Sequence, residues 1–366
     1  MRRFIVLVAA LALGFASAQD YVFGIVFDAG GKFDGSFNEG TWRGLVRGID
    51  ALEADEGLEI DLLEFEGTPE TSAQGLRSIS EQGADLIVAP GFSQSSSIDA
   101  VAQEFPFTNY VNIDGVVEQP NVRSVLFKEH EGSFLVGYLA GLMTRTGVVG
   151  FVGGMDIPLI RNFDSGYQQG VLSACPDCEI ISNYVGTTPA AWNDPARAKE
   201  LATAQRAQGA DIVYAAAGAS GNGVIDFVTE QMCFEPSGDV RDTPLRDVPV
   251  SDAYAAACGE NAEPLFFIGV DSNQNFRGDT DGDPATLNHG LSSMLKRVDV
   301  AAEVAAYDVV NDEFTAGIQV LGLAEEGVDW ALDEFNSPLI PQSVVDQLNG
   351  IRQAVIDGDI VVQPYE

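Results

Sequence analysis

The chain is poor in positive charge. Its 366 residues hold only four lysines, Lys32, Lys128, Lys199 and Lys296, and 19 lysines and arginines stand against 55 acidic residues, giving a formal net charge of -36. A field of that sign repels nucleic acid and anionic membrane surfaces and favours solubility. An acidic surface with so few lysines also fits a salty habitat. Histidine is scarce too: His130 and His289 are the two, neither lies in an H-E-x-x-H zinc pattern, and no G-x-S-x-G nucleophile elbow is present. The phosphate-cradling patterns G-x-x-x-x-G-K-[ST] and G-x-G-x-x-G are missing as well. No apolar run reaches the roughly 20 residues that a membrane-spanning helix needs. The run from Phe4 to Phe15 follows Arg2 and Arg3 and precedes Ala16-Ser17-Ala18. That order is the pattern of a cleaved signal peptide, so residues 1–18 are expected to be removed and the protein to be exported to a periplasm or the cell exterior. The cleavage point has no cysteine to accept a lipid.

Cysteine is limited to four residues, and in an exported chain they read as bridges. Proximity along the chain pairs Cys175 with Cys178, in CPDC, and Cys233 with Cys258, which bracket an insertion rich in Pro, Asp and Gly. A redox-active C-x-x-C needs a helix N-terminus to lower its thiol pKa, whereas CPDC follows an expected helix.

What is abundant is alternation. Strand-like runs (YVFGIVF, LEIDLLEF, DLIVAPG, FTNYVNID) alternate with amphipathic helical stretches, and the rhythm resumes with VVGFVGG, EIISNYVG and ADIVYAAAG. The pattern implies βαβ units and parallel sheets, an α/β protein of two domains at this length. The stretches EQGADLIVAPG (81–91) and AQGADIVYAAAG (207–218) share a helix end, a Gly-Ala-Asp turn and a buried strand, which points to two similar lobes. No low-complexity linker separates them, so ordinary strand crossings and a hinge are expected.

The stretch DAGGKFDGSFNEGTWRGL, from Asp28 to Leu45, lies beyond the carboxyl end of the first strand, where open α/β sheets bind ligands. Ser36 and Glu39 form an S-x-x-E capping box, and Trp42, Leu45, Val46, Ile49 and Leu52 mark the buried helix face. Asp28 and Asp34 beside a helix N-terminus argue against a phosphate. A strand-end carboxylate suits hydroxyl donors, Asn38 offers a donor and an acceptor to a heteroaromatic base, and Phe37 can stack on a flat ring or pack in the core. Asp114 and Asp271 also end apolar strands, YVNID and FFIGVD. Three converging carboxylates need a counter-charge, and Lys296 in SSMLK can supply one.

Asp28–Gly44 resembles the signature D-x-G-G-x-x-D-x-S-F-N-x-x-x-W-x-G of the basic membrane protein family, the purine-nucleoside receptor-like substrate-binding proteins of ABC importers. VNIDG (111–115), WNDPARAKELA (192–202), QGADIVYAAAGASGNGV (208–224), FIGVDSNQ (267–274) and SSMLKRVD (292–299) extend the likeness to the C-terminus. It departs in the insertion after Cys233, in NFRGDTDGDPATLNHG, and in the missing lipobox cysteine. The resemblance implies the type I periplasmic-binding-protein fold, two α/β lobes joined by three crossings. The lobes would comprise residues 19–128 with 295–325, and 129–294 with 326–366. It implies a cleft holding Asp28, Phe37, Asn38 and Asp114 from one lobe and Trp192, Gly221, Asp271 and Lys296 from the other. Phe37 and Trp192 would sandwich the base, with Trp192 where relatives often carry Phe. Asp271 and Lys296 would bind ribose hydroxyls, and a membrane permease would be the partner of a monomer without cofactors.

Two alternatives stay open on the residues themselves. A sugar site in this fold also uses aromatic stacking and carboxylates. A carboxylate-based hydrolase of nucleosides or glycosides would need a metal-binding or acid/base cluster; the nearest candidate, DTDGD (279–283), resembles a calcium loop but Pro284 breaks the pattern, and a solvated acidic loop is the plainer reading. His130, inside KEHEG, reads as a capping or surface residue.

Overall fold

The computed structural model describes residues 20–247, 251–259, 261–283 and 288–366. The expected signal peptide and Pro284 lie outside them. The chain first builds β1 (Tyr21–Val26), α1 (Phe37–Glu56), β2 (Ile60–Phe65), α2 (Ser72–Ser80), β3 (Leu86–Pro90), α3 (Ser95–Glu104), β4 (Asn109–Ile113) and β5 (Val122–Phe127). It crosses into α4 (Glu129–Met143), β6 (Val148–Met155), α5 (Pro158–Ala174), β7 (Glu179–Gly186), α6 (Pro195–Ala207), β8 (Ile212–Ala216) and α7 (Gly221–Gln231). The insertion carries the short strands β9 (Cys233–Phe234) and β10 (Glu263–Pro264) around α8 (Ser251–Cys258), before β11 (Phe266–Asp271) and β12 (Gly290–Lys296). The chain then returns with α9 (Val298–Val310) and β13 (Gly317–Leu321), and crosses a third time to β14 (Val328–Trp330) and α10 (Gln342–Ile356).

The two six-stranded sheets have the same strand order once their strands are ranked along the chain. One reads β13-β5-β4-β3-β1-β2 and the other β14-β12-β11-β8-β6-β7. The EQGAD and AQGAD segments lead into β3 and β8, which hold equivalent places, so the expected duplication is present. The first sheet is parallel throughout; in the second, β14 runs antiparallel to β12. Strands β3 and β8 are buried at every residue, as parallel strands covered by helices on both faces must be.

Helix α1 buries Leu45, Ile49 and Leu52 and exposes Arg43, Arg47 and Asp50, and it ends at Gly57, whose φ of 72° provides a left-handed cap. Its start differs from the expected capping box. The Ser36 hydroxyl makes no cap bond; the Asp34 carboxylate accepts instead from the N–H groups of Ser36, Asn38 and Glu39 at 2.8, 2.9 and 3.1 Å. An aspartate two residues earlier reaches more of the orphan donors of the first turn than a serine hydroxyl can. Glu39 does reach back, to Gly35 N–H at 3.1 Å.

Helices α4 and α5 pack with their backbones in contact. A Cβ at Gly137 would stand 2.2 Å from Tyr167 O, and one at Gly170 would stand 2.1 Å from Phe134 O. The pair anchors the first crossing against the second lobe. Cys175 and Cys178 are bridged, as are Cys233 and Cys258, matching the pairing expected from proximity. Arg145, almost fully buried, ties the insertion to the lobe by a two-point ion pair with Glu263 at 3.0 and 3.1 Å.

Candidate functional site

The loops at the carboxyl ends of both sheets face each other across a cleft enclosing roughly 570 Å³ of space free of atoms, part of it open to solvent. Seven residues singled out from the sequence line it: Asp28, Phe37, Asn38, Asp114, Trp192, Asp271 and Lys296. Gly221 does not. It opens α7, buried against Ala215, and Gly218, one turn earlier, faces the cleft.

Asp28 follows β1. Its Oδ1 accepts from Ser93 Oγ at 2.7 Å and from Ala29 N–H at 2.8 Å, and its Oδ2 lies over Gly91, where a Cβ would come within 2.2 Å. Burial pushes its carboxyl pKa upward against the pull of those two donors, with Asp114 adding to the rise. Asn38 is more committed than its residue type alone implies. Its Oδ1 accepts from Asp28 N–H at 2.9 Å and its Nδ2 donates to Asp34 Oδ2 at 3.0 Å, which leaves one amide hydrogen for a ligand.

Lys296 closes β12 and reaches the end of β4. Its Nζ donates to Asp114 Oδ2 at 2.6 Å. Asp114 Oδ1 and Glu129 Oε1 face the same ammonium at 2.6 and 3.1 Å. The rings of Phe37, Phe127 and Phe163 surround Nζ with centroids at 5.4, 5.2 and 5.4 Å. Burial works to lower the Lys296 pKa, but Asp114, Glu129 and Asp271 together outweigh it and raise it. The carboxylates share one cation among several. Burial pushes Glu129 up to about 7 although Lys296 pulls it down, and burial pushes Asp271 up to about 6 against Lys296 and a bond from Ser36.

Trp192 ends a short 3-10 turn, Pro189–Trp192. Its ring covers Gly154, where a Cβ would stand 2.3 Å from Cζ3. Leu159, Ile160 and Phe163 of α5 complete an apolar wall beside it.

Glu129, Phe92 and Phe163 were not foreseen. Glu129 had the signal that marks Asp28, a carboxylate just past an apolar strand, but KEHEG reads first as a helix start around His130. Phe163 sits inside an amphipathic helix, where it is indistinguishable from core. His130 itself is half-buried in the first turn of α4, and burial lowers its pKa. In DTDGD, Asp279 Oδ1 accepts from the N–H groups of Asp281 and Gly282 at 3.2 and 2.9 Å; no group of His, Cys, Asp and Glu suited to a metal ion occurs among the described residues.

With two matched lobes, a strand-end cleft and this donor set established, comparison with known proteins is decisive. Residues 22–238 match the Bmp family, described as ABC transporter substrate-binding protein PnrA-like. The chain belongs to this family. It is 29% identical to a Lactococcus lactis ABC transporter nucleoside-binding protein, BmpA, covering 92% of this chain and 88% of that one. It is 29% identical to the CD4+ T-cell-stimulating antigen of Listeria monocytogenes over 94% of this chain and 89% of the relative. Basic membrane protein A2 of Borrelia garinii is 31% identical over 92% of this chain and 86% of its own length. An ABC transporter solute-binding protein from Aeropyrum pernix superposes with a TM-score of 0.73 at 27% identity, covering 94% of both chains. The family is one of extracytoplasmic substrate-binding proteins, not enzymes, which deliver a small molecule to an ABC transporter. Among the described residues no helix is long and apolar enough to cross a membrane.

Proposed function

We propose that this protein captures a purine nucleoside between its lobes and hands it to a membrane permease. The observation that carries the reading is that one cleft between the lobes is lined by both aromatic rings and strand-end carboxylates. Phe37 and Trp192 line it from opposite lobes, together with Leu159, Ile160 and Phe163 of α5, and give a planar base apolar surface to stack on. Asp114 follows β4 and Asp271 ends β11, and the Asp114 carboxylate, with the Lys296 ammonium at 2.6 Å, has further lone pairs that can accept from a ribose hydroxyl. Asp28 Oδ2 and the free amide hydrogen of Asn38 offer an acceptor and a donor to the base edge. Lys296 acts chiefly as the counter-ion that holds the Asp114 carboxylate in place. The relative named as nucleoside-binding supports the same ligand class. Export by a cleaved signal peptide and action as a monomer complete the proposal.

The test is a thermal-shift panel on ligand-stripped protein with adenosine, guanosine, inosine, uridine, the free bases, ribose and glucose. A ligand at 1,000 times its dissociation constant adds about 4 kcal/mol of stability. The expected result is a shift with purine nucleosides and none with ribose or glucose. Shifts with sugars alone would transfer the site to a carbohydrate, and silence across the panel would remove the nucleoside reading.

A further inference from the structure

The lobes touch each other directly beside the cleft, at the turn Asp34-Gly35-Ser36. Its three successive carbonyls are each taken by a different side chain of the opposite lobe: Asp34 O by Asn222 Nδ2 at 3.5 Å, Gly35 O by Gln274 Nε2 at 2.8 Å, and Ser36 O by Ser272 Oγ at 3.0 Å. The Ser36 hydroxyl crosses in the other direction, 2.7 Å from Asp271 Oδ2 and 3.1 Å from Val270 O. Ser36 is wholly buried and is not among the residues lining the cleft.

Gly35 supplies the left-handed backbone of this turn. Its φ is +71°, and a Cβ there would meet Arg277 Nη1 at 3.5 Å and Asn222 Oδ1 at 3.7 Å, atoms that are themselves hydrogen-bonded to each other. The turn is held from behind by Asp34, whose carboxylate carries four bonds from Ser36, Asn38 and Glu39. A rigid row of acceptors on one lobe therefore meets a row of donors on the other. Carbonyls at a loop find water when the lobes part, so each bond contributes only its net value, but they form together or not at all.

We propose that this turn is a ligand-independent latch, and that Ser36 is a positioning residue that couples the latch to the binding site by holding Asp271. It rests on the nucleoside reading only for what Asp271 contacts; the latch itself involves no ligand. Asp271 is faced by Lys296 from β12, Asp114 from the end of β4, Asp34 from the turn and Tyr214 from β8. Ser36 adds to these charged and phenolic groups a hydroxyl that donates to it. Closing the lobes thus supplies Asp271 with a donor that an open cleft lacks.

The experiment combines small-angle X-ray scattering of ligand-free protein with inosine dissociation rates and a pH series of inosine binding, for the wild type, the double variant Asn222→Ala/Ser272→Ala, and Ser36→Ala. The double variant is expected to enlarge the ligand-free radius of gyration and to speed dissociation by about 5-fold for each bond removed. Ser36→Ala is expected to do the same and also to move the acid midpoint of binding upward from about 6, because Asp271 loses its hydrogen-bond donor. The double variant keeps the Ser36 hydroxyl for the closed state and should move that midpoint less than Ser36→Ala does. Unchanged scattering in both variants would overturn the latch, and an unshifted midpoint in Ser36→Ala would overturn the coupling. Scattering is read without ligand, so if inosine fails to bind, the nucleoside reading falls while the latch is still decided.

Discussion

The Nζ of Lys296 lies 2.6 Å from both carboxylate oxygens of Asp114, joining the last residue of β12 to the residue that follows β4. The pair ties the second crossing between the lobes to the floor of the cleft, and Glu129, at the first crossing, stands on the same ammonium. Two of the three connections thus meet at one buried cation.

Lys296→Met should therefore cost stability well beyond the loss of one contact. It strands Asp114, Glu129 and Asp271 without a cation, and breaking a buried pair by removing one partner typically costs about 3–5 kcal/mol. Urea unfolding at pH 7.5 measures this. The loss should shrink at pH 5, where Glu129 and Asp271 carry protons; an equal loss at both pH values would mean that the carboxylates do not depend on Lys296.

The same cluster sets a pH dependence of the ligand-free protein. Glu129 keeps its proton up to about 7 in the folded state, against 4.5 for an ordinary glutamate. The folded state then binds more protons than the unfolded state between those values, so this group's contribution makes stability fall as pH rises from 4.5 to 7 and level off above. Asp271 acts in the same sense between 3.8 and about 6. Glu129→Gln cannot titrate, so its stability relative to wild type should rise across that window, by as much as about 1.4 kcal/mol per pH unit. Denaturant midpoints at pH 4.5, 6 and 8 test it; parallel curves for the two proteins would contradict the shift.

Trp192→Ala should weaken purine nucleosides by roughly 5- to 150-fold, the range for loss of one base stack. Gly154→Ala should weaken them as well, without touching ligand, because the new methyl group would stand 2.3 Å from the Trp192 ring and push it into the slot. Calorimetric titration with inosine compares the two. Full affinity in both variants would return Trp192 to a packing role.

Cys258→Ser should cost about 3.5 kcal/mol, the chain-entropy value for a bridge separated by 25 residues. The loss should appear in thermal unfolding while inosine affinity in the cold is kept, since the insertion is held to its lobe through Arg145 and Glu263, away from the cleft. A matching loss of affinity would show that the insertion shapes the site.

Much of this was legible in the chain. Alternation of apolar strands and amphipathic helices was enough for the two lobes, and repetition of Gly-Ala-Asp before β3 and β8 marked their equivalence. The strand-end aspartates were visible because a charge terminating an apolar run is conspicuous. What escaped were relationships across the cleft. Ser36 and Glu39 fit a capping pattern, yet the Ser36 hydroxyl is drawn to Asp271, 235 positions away, and Asp34 takes over the cap. Asn38 looked free for a ligand, but two of its bonds brace Asp28 and Asp34. Gly221 came from the resemblance alone, and on that lobe it is Gly218, at φ +55°, that lines the cleft.

Asp114 and Asp271 follow or end the fourth strand of their respective sheets, and both sit in the left-handed region, at φ 67° and 62°. Outside glycine that conformation costs about 1–2 kcal/mol per residue. The two halves of the molecule therefore spend stability at the same structural address, each to turn one carboxylate toward the space between them. Glycine at Asp114 would relieve that strain only by stranding the buried Lys296, so a search for more stable variants would be drawn to Asp271 alone, and would there remove a carboxylate that faces the cleft.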